Sequence, residues 1–230
     1  MKHSSIYGAA LIIGSLGATV TMIFHPTGHD LLGQPDEIAR RNEMITVILH
    51  SLALFSSPLL LFGFFGFSRR LGLDNPLVSA ALIAYLVCVF GGISAAIING
   101  IVAPSITRQI LTADENARQV LQLVLMNNTL LNQAFTRVYI VASSLAIILW
   151  SLRIKRNAGF AQIIAFLGCL IGSVTMLGLF SGHLRLNVHG FGLLILGQTV
   201  WTILTAVFLF HQGDPSVKDQ QTNLIKDDRQ

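Results

Sequence analysis

Few side chains in this sequence can do chemistry, and most of those are histidines and amides set among apolar residues. His50 lies inside an apolar run, residues 44–67, that holds no Asp, Glu, Lys or Arg. Glu43, His50 and Ser57 recur at seven-residue spacing, with Thr46 on nearly the same stripe, so one face of a helix would collect all four. An imidazole in that setting either hydrogen-bonds a neighbouring helix or takes up a proton or ligand, because its charge changes near physiological pH. Arg137 is the only charged residue between Gln119 and Leu152. A charge at span depth costs about 2.5–3.5 kcal/mol on insertion scales. The guanidinium must either reach the headgroup layer along its own stem or turn inward to a carboxylate or anion, with Glu43 nearest in depth. Asn99 and Gln198 bring amides to the same half of the layer. Glu43, His50, Asn99, Arg137 and Gln198 are therefore expected to line a polar pocket open to the outer face. Such a pocket suits a small solute, an ion or a lipid headgroup.

A second cluster is His25-Pro26-Thr27-Gly28-His29-Asp30. Two imidazoles and a carboxylate this close could hold zinc with a third ligand from His183 or His189. Pro26 and Gly28 make the stretch a turn, so no helix sets the two imidazoles on one face. The enzyme reading that follows is a zinc-dependent hydrolase acting on lipid, with Asp30 or Glu43 as general base. Haem would need two axial ligands at matching depth, and His50 is the one histidine well inside a run. Cys88 and Cys169 have no CxxC partner and read as small packing residues. No phosphate loop, nucleophile elbow or dinucleotide fingerprint occurs. No carboxylate lies deeper than Glu43, which disfavours proton-coupled transport of the usual kind. The expectation is a binding protein with no resident cofactor, zinc or haem being the weaker alternatives. A structural or assembly subunit without any site is the third reading.

The elements that must position these residues follow from composition. Only 11% of the 230 residues are charged, against about 25% in soluble domains, and the shortfall comes from long uncharged runs. Those runs are too continuous for alternating barrel strands, so they predict helices in lipid. Six spans are expected, at about 6–24, 44–67, 77–103, 131–152, 160–181 and 189–210. The fourth should belong to a helix that starts near Asp114 and carries an amide-rich first half. The first run outlasts a signal-peptide core and is expected to stay as a span. Lys2, Arg69, Arg70, Arg153, Lys155 and Arg156 fall on one side of such a bundle, which predicts cytoplasmic termini. Residues 212–230 form a polar tail expected to be disordered. Gly92-x-x-x-Ala96-x-x-x-Gly100 and Gly168-x-x-x-Gly172 predict close helix packing, within the chain or with a second membrane protein or copy. The net charge of +4 sits at segment ends rather than on one face, so the partner is the lipid bilayer and not nucleic acid.

Several stretches together resemble a group of uncharacterised six-span inner-membrane proteins of bacteria. They are His25-Pro26-Thr27, His50, Asn132-Gln133-Ala134-Phe135, Leu149-Trp150-Ser151-Leu152, and Gly182-His183-Leu184-Arg185-Leu186-Asn187-Val188-His189-Gly190. The resemblance implies an all-α bundle in the bacterial inner membrane, and it implies no activity.

Overall fold

Hydrocarbon offers no hydrogen bonds, so a segment placed in it must satisfy its backbone internally, and long apolar runs become helices. The computed structural model describes residues 2–25, 36–154, 159–184 and 188–211, without the side chains of 2–3, 36–43 and 188–189. The expected tail after 211 lies outside the described residues. Among those described, all regular structure is helical: α1 (Lys2–Ile23), α2 (Asp36–Leu71), α3 (Pro76–Ile97), a π-helical turn (Ile98–Val102), α4 (Ala103–Thr112), α5 (Glu115–Arg153), α6 (Phe160–Phe180) and α7 (Val188–His211). Six segments are long and apolar enough to cross a membrane, α3 through α4 counting as one. This is the architecture of a multi-pass membrane protein, as the runs predict.

Local chemistry sets the helix ends. Asn75 caps α3 by accepting from the Leu77 N–H at 3.1 Å, and Pro76 occupies the first turn, where its missing N–H costs nothing. Asp114 caps α5 through the Ala117 N–H at 2.9 Å, as the sequence suggests. At the end of α2, Gly72 takes φ +94°, a left-handed conformation that glycine adopts without a Cβ penalty. Its N–H then closes onto the Ser68 carbonyl at 3.1 Å. The third span, expected to end at residue 103 just before Pro104, has no break there. Pro104 stands in the first turn of α4, after the π-turn has already displaced the hydrogen-bond register by one residue. The helical rod therefore runs on to Thr112.

Adjacent pairs α1–α2, α2–α3, α3–α5, α5–α6, α6–α7 and α7–α1 close a ring. The start of α1 meets the end of α7, where a Cβ at Gly8 would strike the Phe210 ring. Both terminal helices thus share one end of the bundle, here called proximal. α1, α6 and α7, at 21 to 24 residues, match a hydrocarbon layer of about 30 Å. α2 has 36 residues, α3 through α4 has 37 and α5 has 39. These rods are roughly 55 Å long, so all three project beyond the layer at the distal end.

Packing in the proximal half is aromatic. The Phe64 ring stacks on Trp150 at 4.7 Å and on Trp201 at 5.8 Å, and Phe67 meets both indoles edge-on. Both indole N–H groups are satisfied, Trp150 by Ser68 Oγ at 3.0 Å and Trp201 by the Ile164 carbonyl at 3.1 Å. The small-residue motifs work inside the chain. A Cβ on Gly168 would collide with Ser151 Oγ and Trp201 Nε1, and one on Gly172 would lie 2.9 Å from the Ser144 carbonyl. Leu177, Leu193 and Phe180 point outward with about 70% of their surface exposed, as a lipid-facing surface requires.

Candidate ligand-binding site

Above the aromatic layer the interior of the ring is not filled. A cavity of about 230 Å³ lies between α1, α2, α3, α5 and α7. Its lower wall includes Leu60 and Tyr139, about 17–21 Å along their helices from the proximal ends. Its upper wall includes His50, Asn99 and Asn132, about 32–35 Å from those ends. The cavity is a cup in the distal half of the bundle, floored by packed rings. Among the described residues no Asp, Glu, Lys or Arg lines it.

His50 is 7% exposed and is held at both ring nitrogens. Nδ1 lies 2.8 Å from the Thr46 carbonyl, which can only accept, so Nδ1 carries the proton. Nε2 lies 3.2 Å from Asn99 Nδ2 and accepts from it. The ring is thus in its neutral Nδ1–H tautomer with both nitrogens engaged, and it lines the cup beside Asn99. His25, at the end of α1, stands edge-on to His50 with ring centroids 5.2 Å apart.

A π-turn and a helical proline stand in this wall. In the π-turn the Ala103 N–H reaches back five residues to the Ile98 carbonyl, and Asn128 Nδ2 donates to the same oxygen at 3.1 Å. That turn carries Asn99 and Gly100 to His50, and Gly100 is pressed so closely on the imidazole that a Cβ would overlap His50 Cβ. Single π-turns recur at functional sites for this reason, since one extra residue re-aims a side chain. On α2, Pro58 removes one backbone donor, and the preceding Ser56 and Ser57 hydroxyls bond back to the Leu52 and Ala53 carbonyls.

Below the cup, Tyr139 Oη donates to Gln198 Oε1 at 2.9 Å, and Gln198 Nε2 donates to Ser143 Oγ at 2.8 Å. This chain bridges α5 and α7 beside a second cavity of about 30 Å³, room for one water.

The five residues expected to share a pocket divide. His50 and Asn99 line the cup in direct contact. Gln198 lies beneath it as an interhelical strut. Arg137 does not join them: it is exposed on α5 and lines neither cavity. The reason is angular. Asn132, Thr136 and Tyr139 form the cup-facing stripe of α5, and Arg137 is one step, about 100°, around from Thr136. The Glu43 and His189 side chains, and all of His29 and Asp30, lie outside the described residues. His183 is exposed, with Nδ1 2.9 Å from Ser181 Oγ, and does not line the cup. Among the described residues no group of three or more His, Cys, Asp or Glu gathers as a metal site. Residues that the sequence reading did not place in the pocket are Thr21, Met22, Asn132, Thr136 and Tyr139. The i, i+4, i+7 spacing of the last three was the available signal.

Compared with known proteins, the chain matches no family model, and no curated protein and no solved structure is similar to it.

Proposed function

We propose that this is a bacterial inner-membrane protein that binds a small ligand in the distal cup, with its termini in the cytoplasm and the cup facing outward. The observation that carries the reading is the cavity itself, lined by the hydrogen-bonded His50–Asn99 pair and, among the described residues, by no Asp, Glu, Lys or Arg. A neutral ligand suits that lining, because no fixed charge among the described residues is available to neutralise an ion. Arg69, Arg70 and Arg153 at the proximal end support a cytoplasmic placement of that end. Binding is favoured over hydrolysis because the Ser56 and Ser57 hydroxyls are tied to backbone carbonyls rather than to His50. A one-sided cup above packed rings also argues against an open channel.

Thiol accessibility tests this reading. In a Cys88→Ala, Cys169→Ala background, thiols introduced by Ala53→Cys and Ala95→Cys should react in intact cells with a small membrane-impermeant methanethiosulfonate. A thiol from Leu86→Cys, on the lipid face, should not. Protection of both cup positions in cells and in detergent would refute an open cup. Labelling from the cytoplasmic side alone would reverse the orientation.

A further inference from the structure

We propose that the projecting half of α5 pairs with the same segment of a second copy of this chain, as a short parallel coiled coil on the distal side of the membrane. Three observations carry it.

The first is an apolar face beyond the reach of lipid. Leu130 lies about 35 Å and Val120 about 50 Å along α5 from Arg153, past a hydrocarbon layer of about 30 Å. Val120, Leu123, Val124, Met126, Leu130 and Leu131 are nevertheless 45–63% exposed. A contiguous apolar face in water marks an interaction surface.

The second is the spacing. Val120, Leu123, Asn127, Leu130 and Ala134 follow one another by three and four residues in turn, and all five are exposed. Written as a heptad abcdefg, Val120, Asn127 and Ala134 fall at a, and Leu123 and Leu130 at d. A β-branched residue at a with Leu at d favours two parallel strands, and a single Asn at an a position fixes their register. Two copies inserted alike in one bilayer run parallel, so Asn127 meets its counterpart across the axis. The residues at b and f look the other way: Asn128 Nδ2 donates to the Ile98 carbonyl at 3.1 Å, and Asn132 lines the cup. Each α5 is thus held by its own chain on one face and open along the seam. Arg137 takes the next d position. Two like charges there repel, so the seam ends at Ala134 and the helices part as they enter the layer.

The third is the area. The six apolar side chains leave roughly 600 Å² uncovered on each copy, so a pair buries about 1,200 Å², which reaches the size of a specific interface. About two heptads are short for free helices. Here α5 is already folded on its own chain and the bilayer holds both copies in one plane, so pairing costs little ordering.

Disulfide cross-linking in isolated membranes tests the pairing, with full-length protein in the Cys88→Ala, Cys169→Ala background and copper phenanthroline as oxidant. Leu123→Cys and Leu130→Cys should each give a covalent dimer of the chain. Gln122→Cys and Thr129→Cys are also exposed but sit at c, about 100° around from the seam, and should cross-link at least about fivefold less. In the Leu130→Cys chain, Leu123→Glu sets like charges across the seam and should cut the yield at least about tenfold, with melting followed by tryptophan fluorescence unchanged. No cross-link at either seam position, equal yields at seam and c positions, or cross-links to a different protein would each overturn the pairing. Seam thiols that resist maleimide in the dispersed monomer would mean that the chain covers this face itself, which overturns it as well.

Discussion

Gly100→Ala is the sharpest test of how the π-turn builds the site. A Cβ placed on Gly100 lies 2.5 Å from His50 Cγ and 3.1 Å from Cδ2, and closer still to His50 Cβ. Carbon contacts relax at about 3.5–4.0 Å, so the Gly100 Cβ and the His50 Cβ, the closest pair, must separate by roughly 1.5 Å or more. His50 Cβ is fixed by the α2 backbone, and no rotamer removes it. The strain therefore falls on the spacing between α2 and the π-turn. The His50–Asn99 hydrogen bond, 3.2 Å long, does not survive a displacement of that size. Overpacking of this kind costs about 1–3 kcal/mol, and an interhelical hydrogen bond in a membrane adds about 0.6 kcal/mol. A total of about 1.5–3.5 kcal/mol corresponds to a fall in Tm of roughly 3–14 °C for a chain of this length. Trp150 and Trp201, fully buried in the ring stack, report unfolding by fluorescence in detergent. Gly192→Ala is the control, since nothing lies within 4 Å of a Cβ there and a helical glycine gains about 0.5–1 kcal/mol on becoming alanine. Equal melting of the two variants would mean that Gly100 and His50 are not in contact.

Two further outcomes follow from the same geometry. Tyr139→Phe and Gln198→Leu should show a coupling of about 0.6–1.7 kcal/mol in a double-mutant cycle, with Gln198→Leu the costlier single change because it orphans two partners; strict additivity would remove the strut. Arg137→Gln should shift Tm by less than about 2 °C, as an exposed side chain facing the headgroup layer would, and a large loss would demand an inward partner.

The cup and the aromatic layer divide the bundle into two functional halves. Rings fill the proximal half and keep it shut, whereas alanines and glycines on α1, α2 and α3 leave the distal half open. The π-turn after α3 and the proline of α2 stand beside the opening, not in the stack. Packed rings under a rim that carries a π-turn leave the cavity wall in place without filling it.

Helix type and number were written in the sequence. Lipid makes an uncharged run of about 20 residues a helix whatever its neighbours do, and caps such as Asn75 and Asp114 act within a single turn. That His50 and Asn99 must find hydrogen-bond partners was also legible, because a polar residue deep in an apolar run cannot stay unpaired. Which polar residues meet was not. Facing depends on helix rotation and on the ring order of the bundle, and both are set by side chains distant in the chain, such as Gly168 against Ser151 and Trp201. The π-turn had no signature in residue type, and Pro104 looked like a stop until the shifted register of Ile98–Val102 accommodated it. Arg137 shows the limit most plainly. Its depth could be counted from the chain, but one step of about 100°, decided by tertiary packing, took it from the cup to the exposed surface.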